Sequence, residues 1–164
     1  MTDERLEFGT YGLRNSITRF KNIKLTTSSS PEGFHAVEAA ALECLWWCQM
    51  LNERLEKTVE TYREARALNP MGSTVQGLRY ARNRYTHSPV IAIERVGGLS
   101  FPAAFPVSFG LRAVWRAAKH LGTDKRVSSD QEKAYVRSVQ GRDVVSTLEI
   151  ALQWFTDWVA TGNR

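Results

Sequence analysis

The 164 residues are enough for one domain with a real core, and 43% hydrophobic against 24% charged residues is the balance of an ordinary folded protein, not a disordered one. No apolar run approaches the length of a bilayer span, and the N-terminus, Met1-Thr2-Asp3-Glu4-Arg5, lacks an apolar signal segment, so a cytoplasmic protein off the membrane is expected. A net charge of +5 permits a polyanionic partner without requiring one.

Residues 1–30 read as an N-terminal arm. A short helix is expected between Glu4 and Lys24 on the apolar points Leu6, Tyr11, Leu13, Ile17, Phe20 and Ile23, weakened by Gly9 and Gly12. Thr26-Thr27-Ser28-Ser29-Ser30 reads as a linker. The arm packs on the remaining bundle domain, 31–164, or extends toward a second subunit.

Ser30-Pro31-Glu32 has the chemistry of a helix start: a capping hydroxyl, a proline at the first position and an acid in the first turn. Val37, Ala41, Cys44, Cys48, Leu51, Leu55, Val59 and Tyr62 then recur at spacings of three and four, which predicts one long helix running to about Leu68. Cys44 and Cys48 share a face of it. A regular helix does not give two such cysteines disulfide geometry, and no further ligands stand at metal-binding spacing, so buried thiols in a reduced compartment are expected. No metal and no cofactor are expected.

Asn69-Pro70-Met71-Gly72-Ser73 predicts a tight turn between antiparallel helices, and Ser73 can cap a second helix over about 73–88. Val75, Leu78, Ala81 and Tyr85 mark its core side. No glycine or proline interrupts 78–88, and Pro89 then ends the helix. Val90–Ile93 reads as a short strand, with a small β-hairpin expected in the 89–108 connection, where Gly97-Gly98 turns and Phe101-Pro102 and Phe105-Pro106 stiffen the chain. A third helix is expected from Phe109 to Leu121, ended by Gly122. A polar loop covers 123–130, and Asp130 is the expected cap of a short helix through Val139. After Gly141 comes a last helix with the stripe Val144, Val145, Leu148, Ala151, Leu152, Phe155, Trp158 and Val159. Trp154 and Ile150 lie on another flank, which suggests burial on a second side, as at a dimer interface.

The chemistry concentrates at the end of the second helix. Arg79, Arg82, Asn83, Arg84, Tyr85 and His87 fall within nine residues. Asn83 and His87 are four apart and share a face. Arg82 and His87 are about 140° apart around the helix, within reach of a long side chain near a frayed end. The carbonyl end of the helix favours an imidazolium, and a histidine titrating near neutrality beside a fixed guanidinium suits acid–base work on a phosphodiester. A cation-rich helix end is also favourable with no function at all.

Arg82-Asn83, three residues and then His87 resembles the signature of HEPN-domain ribonucleases: an arginine, a polar residue, and a histidine after four to six intervening positions. The resemblance covers residues 77–89. It implies an all-α antiparallel bundle, here of four to five helices, that forms a homodimer in which two motifs face each other. It also implies metal-independent RNA cleavage of toxin or defence type, with an inhibitor or antitoxin protein as a further partner. Arg82, Asn83 and His87 would be the catalytic residues, and Arg79, Arg84 and Tyr85 would contact RNA. Tyr85 can instead serve the core. Pro89 stands where some HEPN toxins have a tyrosine that a partner nucleotidyltransferase modifies, which puts that mode of control in doubt. The alternative is a non-catalytic HEPN-like module that binds RNA or protein. Other enzyme classes find little support, because the chain has no glycine-rich phosphate loop, nucleophile elbow or HExxH.

Overall fold

The computed structural model describes residues 3–23, 31–87, 92–96, 112–122 and 128–161. Among these, six helices and one two-stranded antiparallel sheet make an α-helical bundle: α1 Glu4–Asn22, α2 Pro31–Thr58, α3 Tyr62–Leu68, α4 Pro70–His87, β1 Ile93–Val96, β2 Arg112–Trp115, α5 Ser129–Ser138 and α6 Val144–Thr161. No described helix is long and apolar enough to cross a membrane.

Asp3 caps α1 by accepting from the Arg5 amide at 3.0 Å, and the same carboxylate takes the Arg54 Nε at 2.7 Å, which ties the start of α1 to α2. Arg54 accordingly holds the Asp3 carboxyl below its usual range. Leu6, Leu13, Ile17 and Phe20 enter the core, and α1 packs along α2 and α6. The glycines that weaken α1 as a helix are what lets it approach α2: a Cβ at Gly12 would stand 2.6 Å from the Trp47 ring, and one at Gly9 the same distance from Leu51.

Every member of the α2 seam from Val37 to Tyr62 is buried, and Cys44 and Cys48 are free thiols within it. Burial pushes the Cys44 thiol up to about 11. The long helix nevertheless does not run unbroken to Leu68. It stops at Thr58, and α3 restarts at Tyr62. Beyond the break Tyr62 still faces the core. Its hydroxyl accepts from the Trp154 Nε1 at 3.2 Å and donates to Asn52 at 3.1 Å. Trp154 is therefore buried inside this chain, edge-on to Trp158 and tilted to Tyr62.

Residues 112–121 depart most from expectation, and Phe109 to Leu111, the start of the expected third helix, lie outside the described residues. Over 112–121 the chain forms β2 and a single 3-10 turn, Ala118–His120, in place of that helix. β2 pairs with β1, Ile93 opposite Trp115 and Val96 opposite Arg112, so the ribbon reaches past the 89–108 segment. Trp115 also exchanges backbone hydrogen bonds with Arg142 and Gly141, and its indole donates to Thr147 at 2.6 Å. A short apolar run buried on several sides does not distinguish helix from strand by its spacing; here the available partner edge decided. Val90, Ile91 and the 97–108 turn and proline loop lie outside the described residues. α5 is capped by Ser128, which accepts from the Asp130 amide; Asp130 sits in the first turn instead.

α4 runs through the centre and touches α2, α3, α5 and α6. Gly77 makes this possible, because a Cβ there would lie 2.7 Å from Val139 Cγ2, 3.0 Å from Tyr135 Cα and 3.1 Å from the Ala134 carbonyl. Two of those neighbours are backbone, so α5 would have to move. Gly77→Ala gains about 1 kcal/mol of helix propensity but costs about 1–3 kcal/mol in overpacking. A net loss of stability in urea unfolding is expected; a gain would mean that α5 does not lie this close to α4.

Candidate functional site

Arg82 and Asn83 are side by side on the outward part of α4, five and four residues before its last residue, His87. The Arg82 guanidinium lies over the Trp46 ring of α2, 4.2 Å from its centroid, and its Nη1 donates to Asn83 Oδ1 at 3.2 Å. Asn83 Nδ2 in turn donates to Gln131 Oε1 of α5 at 3.0 Å. Cation and amide are thus held from both sides by neighbouring helices. The His87 side chain lies outside the described part of the chain.

The three residues expected to touch RNA each have a partner within the chain. Arg79 is partly exposed and donates to Glu56 Oε1 of α2 at 3.1 Å. Arg84 is 1% exposed, and its Nε donates to the Leu121 carbonyl at 2.7 Å, with Nη2 on the same oxygen. The Tyr85 hydroxyl donates to Glu38 Oε2 on α2. The reason is common to all three. α4 is enclosed by neighbours on most of its circumference, so residues that would be solvated on a surface helix become its inward ties. Arg84 offers no guanidinium to solvent in this arrangement, and Tyr85 serves the core side.

The Tyr85–Glu38 pair is itself unusual. Burial lifts the Glu38 carboxyl from 4.5 to about 7, opposed by the Tyr85 hydrogen bond, the Ile93 and Ala92 amides and the charge of Arg116. Burial and the neighbouring carboxylate together push the Tyr85 phenol well above its ordinary value. The folded chain therefore holds a proton on Glu38 that the unfolded chain gives up. Its stabilising effect is complete below about pH 4.5 and is lost as pH rises toward about 7. Glu38→Gln, which keeps an acceptor without the charge, is expected to be about 1–3 kcal/mol more stable than the parent at pH 8, with the difference closing below pH 5. Denaturation at the two pH values checks the sign; a difference independent of pH would remove Glu38 as its source.

Trp46, Glu38, Glu56 and Gln131 complete this neighbourhood. Of these the sequence marks only Glu38, as an off-seam group facing solvent or a partner, whereas in the structure it is largely buried and takes the Tyr85 hydroxyl. Trp46 lies off the seam of α2, four residues before Met50, and is 49% exposed. Among the described residues no cluster of three or more His, Cys, Asp or Glu side chains is placed to hold a metal ion.

Compared with protein-family models, with curated proteins and with solved structures, the chain matches none. The likeness to HEPN nucleases accordingly rests on the motif at residues 77–89 and on a helical architecture that many bundles share.

Proposed function

We propose that this chain is a HEPN-like bundle acting as a metal-independent endoribonuclease of toxin or defence type, with its active site assembled between two copies. The observation that carries the reading is the fixed Arg82–Asn83 pair, half-exposed on the last turns of the helix that ends at His87. A guanidinium already held by Trp46 and Asn83 needs little reorganisation to stabilise charge developing on a phosphate. Asn83 orients it. His87 moves the proton.

In this mechanism the substrate supplies its own nucleophile. The ribose 2′-oxygen attacks phosphorus as its proton leaves, the bond from phosphorus to the 5′-oxygen breaks, and that oxygen takes up a proton. The products are a 2′,3′-cyclic phosphate and a 5′-hydroxyl. Two His87 side chains, one from each copy, would divide the roles of base and acid.

The same fixed pair also favours a second reading, a binding module that keeps Arg82 as a phosphate clamp. Incubation of total RNA with the protein in EDTA separates the two. Cyclic phosphate ends that disappear with Arg82→Ala support the nuclease. RNA that is bound but left intact selects the clamp, and a monomer at working concentration rejects the composite site.

A further inference from the structure

Between α3 and α5, over the start of α4, runs a groove made of two adjoining hollows of about 440 and 350 Å³, which share Ala67, Ser73 and Arg137. Four solvent-exposed cations line it: Arg63 on α3, Lys133 and Arg137 on α5, and Arg142 beyond the end of α5. Lys133 and Arg137 stand about 6 Å apart along the helix axis. Arg137 Nη2 donates to the Ser73 hydroxyl at 2.7 Å and Arg142 Nη2 to the Arg137 carbonyl at 3.2 Å, so both are tied to uncharged oxygens. Each of these bonds uses one of the five N–H donors of a guanidinium. Two carboxylates offset part of the charge: Glu56, 3.6 Å from Arg63 and paired with Arg66, and Asp130, which lines the groove 3.8 Å from Lys133. The groove leads away from the Arg82–Asn83 pair. α5 lies antiparallel to α4, with Gln131 near its start bonded to Asn83 at 3.0 Å and Ser138 at its end bonded to Ser73 at 2.8 Å. Asp130 and Lys133, on either side of Gln131, line the near hollow, and Arg142 lines the far one.

We infer that this groove carries the phosphate backbone of the RNA strand beyond the Arg82–Asn83 pair. The inference rests on the ribonuclease reading for RNA as the ligand, and it adds a binding track to that site. Asn83 and Ser73 are separated by about 15 Å of helix, so a strand of several nucleotides reaches the far hollow and a single nucleotide at Arg82 does not. The cations are spread along the groove instead of gathered at one point. That spacing suits a row of singly charged phosphodiesters better than one concentrated phosphate group. Among the described residues no aromatic side chain lines either hollow, so bases find no stacking platform there. Contacts to phosphates alone position a strand without reading its sequence. Binding in the groove is therefore tolerant of sequence and steeply dependent on salt.

The test uses the full chain and uncleavable 2′-O-methyl strands, decamers of U and of A and a dinucleotide of U, with affinity measured as a function of salt. Both decamers are expected to bind about tenfold or more tightly than the dinucleotide, and equally to each other. Lys133→Gln and Arg142→Gln should each weaken both decamers alike, about threefold or more, lower the salt slope by about 0.7–1, and leave the dinucleotide unchanged. Asp130→Asn, which removes the acid from the groove, should tighten the decamers about twofold. Arg137→Lys keeps the charge while giving up the guanidinium geometry, and should retain the slope that Arg137→Gln loses. All four side chains are exposed, and thermal melts verify that the variants fold. Decamers that bind no better than the dinucleotide overturn the track, as do salt slopes that the substitutions leave unchanged. A mononucleotide that binds saturably and is lost with Arg142→Gln, while the decamers gain nothing from their length, overturns it as well and assigns the groove to a free organic phosphate. The two readings fail separately. Length-dependent binding without RNA cleavage removes the nuclease and keeps the track; His87-dependent cleavage that Lys133→Gln and Arg142→Gln leave untouched, with decamers bound no better than the dinucleotide, does the reverse.

Discussion

His87→Ala is expected to lower the rate of RNA cleavage about 10²–10⁴-fold, the usual contribution of a positioned proton-transfer group, while RNA binding changes little. The separation of the two effects is the informative part. Arg82 is held by Trp46 and Asn83, so the proposed phosphate contact does not depend on the imidazole. Single-turnover cleavage beside equilibrium binding measures both. A bell-shaped pH–rate profile in the parent that loses its limb near the histidine range in the residual activity of His87→Ala would tie the loss to proton transfer. Arg82→Ala should differ by weakening binding as well, because it removes both a phosphate contact and the cation on Trp46. Cleavage that survives His87→Ala at the parental rate removes the nuclease reading, and with it the proposed division of labour between two copies.

Glu56→Ala is expected to destabilise the helical core by about 3–5 kcal/mol, as is usual when one partner of a largely buried ion pair is removed. Glu56 Oε1 accepts from Arg66 at 2.5 Å, from Arg79 at 3.1 Å and from Asn52 at 3.1 Å, and Arg63 lies 3.6 Å from Oε2. Arg66 is 8% exposed and cannot turn to water when the carboxylate goes. Its hydrogen bond to Asn52 and its position 5.5 Å from the Tyr62 centroid remain, which places the loss toward the lower end of that range. At about 2–4 °C per kcal/mol for a chain of this size, thermal unfolding should fall by roughly 10 °C. Adding Arg66→Met should recover part of it, because the stranded charge is then gone.

The pH dependence has a definite sign. Burial raises the Glu56 carboxyl, but Arg66 and Arg79 together outweigh it and leave the group below its usual value. Its stabilisation is therefore complete above the unfolded carboxylate range and is lost as pH falls through the lower folded value. Parent and Glu56→Ala should converge in stability only once pH has fallen below the lowered folded value. Persistence of the full difference in acid would rule out the ion pairs as its origin. The change also frees Arg79, so any gain in RNA affinity would mark Arg79 as a contact that the fold normally withholds.

These two predictions draw on different levels of the chain. The motif behind the first was legible as residue types at set spacings: an arginine, an amide and a histidine before a proline. The cluster behind the second was not, because Glu56, Arg66 and Arg79 come from three helices and meet only once these pack. The apolar seam from Val37 to Tyr62 and the stripe of α6 could be read because burial of one helix face leaves a spacing of three and four in the residues themselves.

What the amino-acid order determined by itself is the helical class, the core face of each long helix and the place where a guanidinium, an amide and an imidazole follow one another. Tertiary structure decided the rest. It made 112–115 a strand by presenting the edge of 93–96, and it split the long helix between Thr58 and Tyr62. It also turned Arg84 from a surface contact into an inward tie, and it gave Tyr85, already on the core side by its spacing, a carboxylate partner from α2. In each case the local pattern suits more than one outcome, and the free energy that selects among them comes from partners distant in sequence, which no window of neighbouring residues contains.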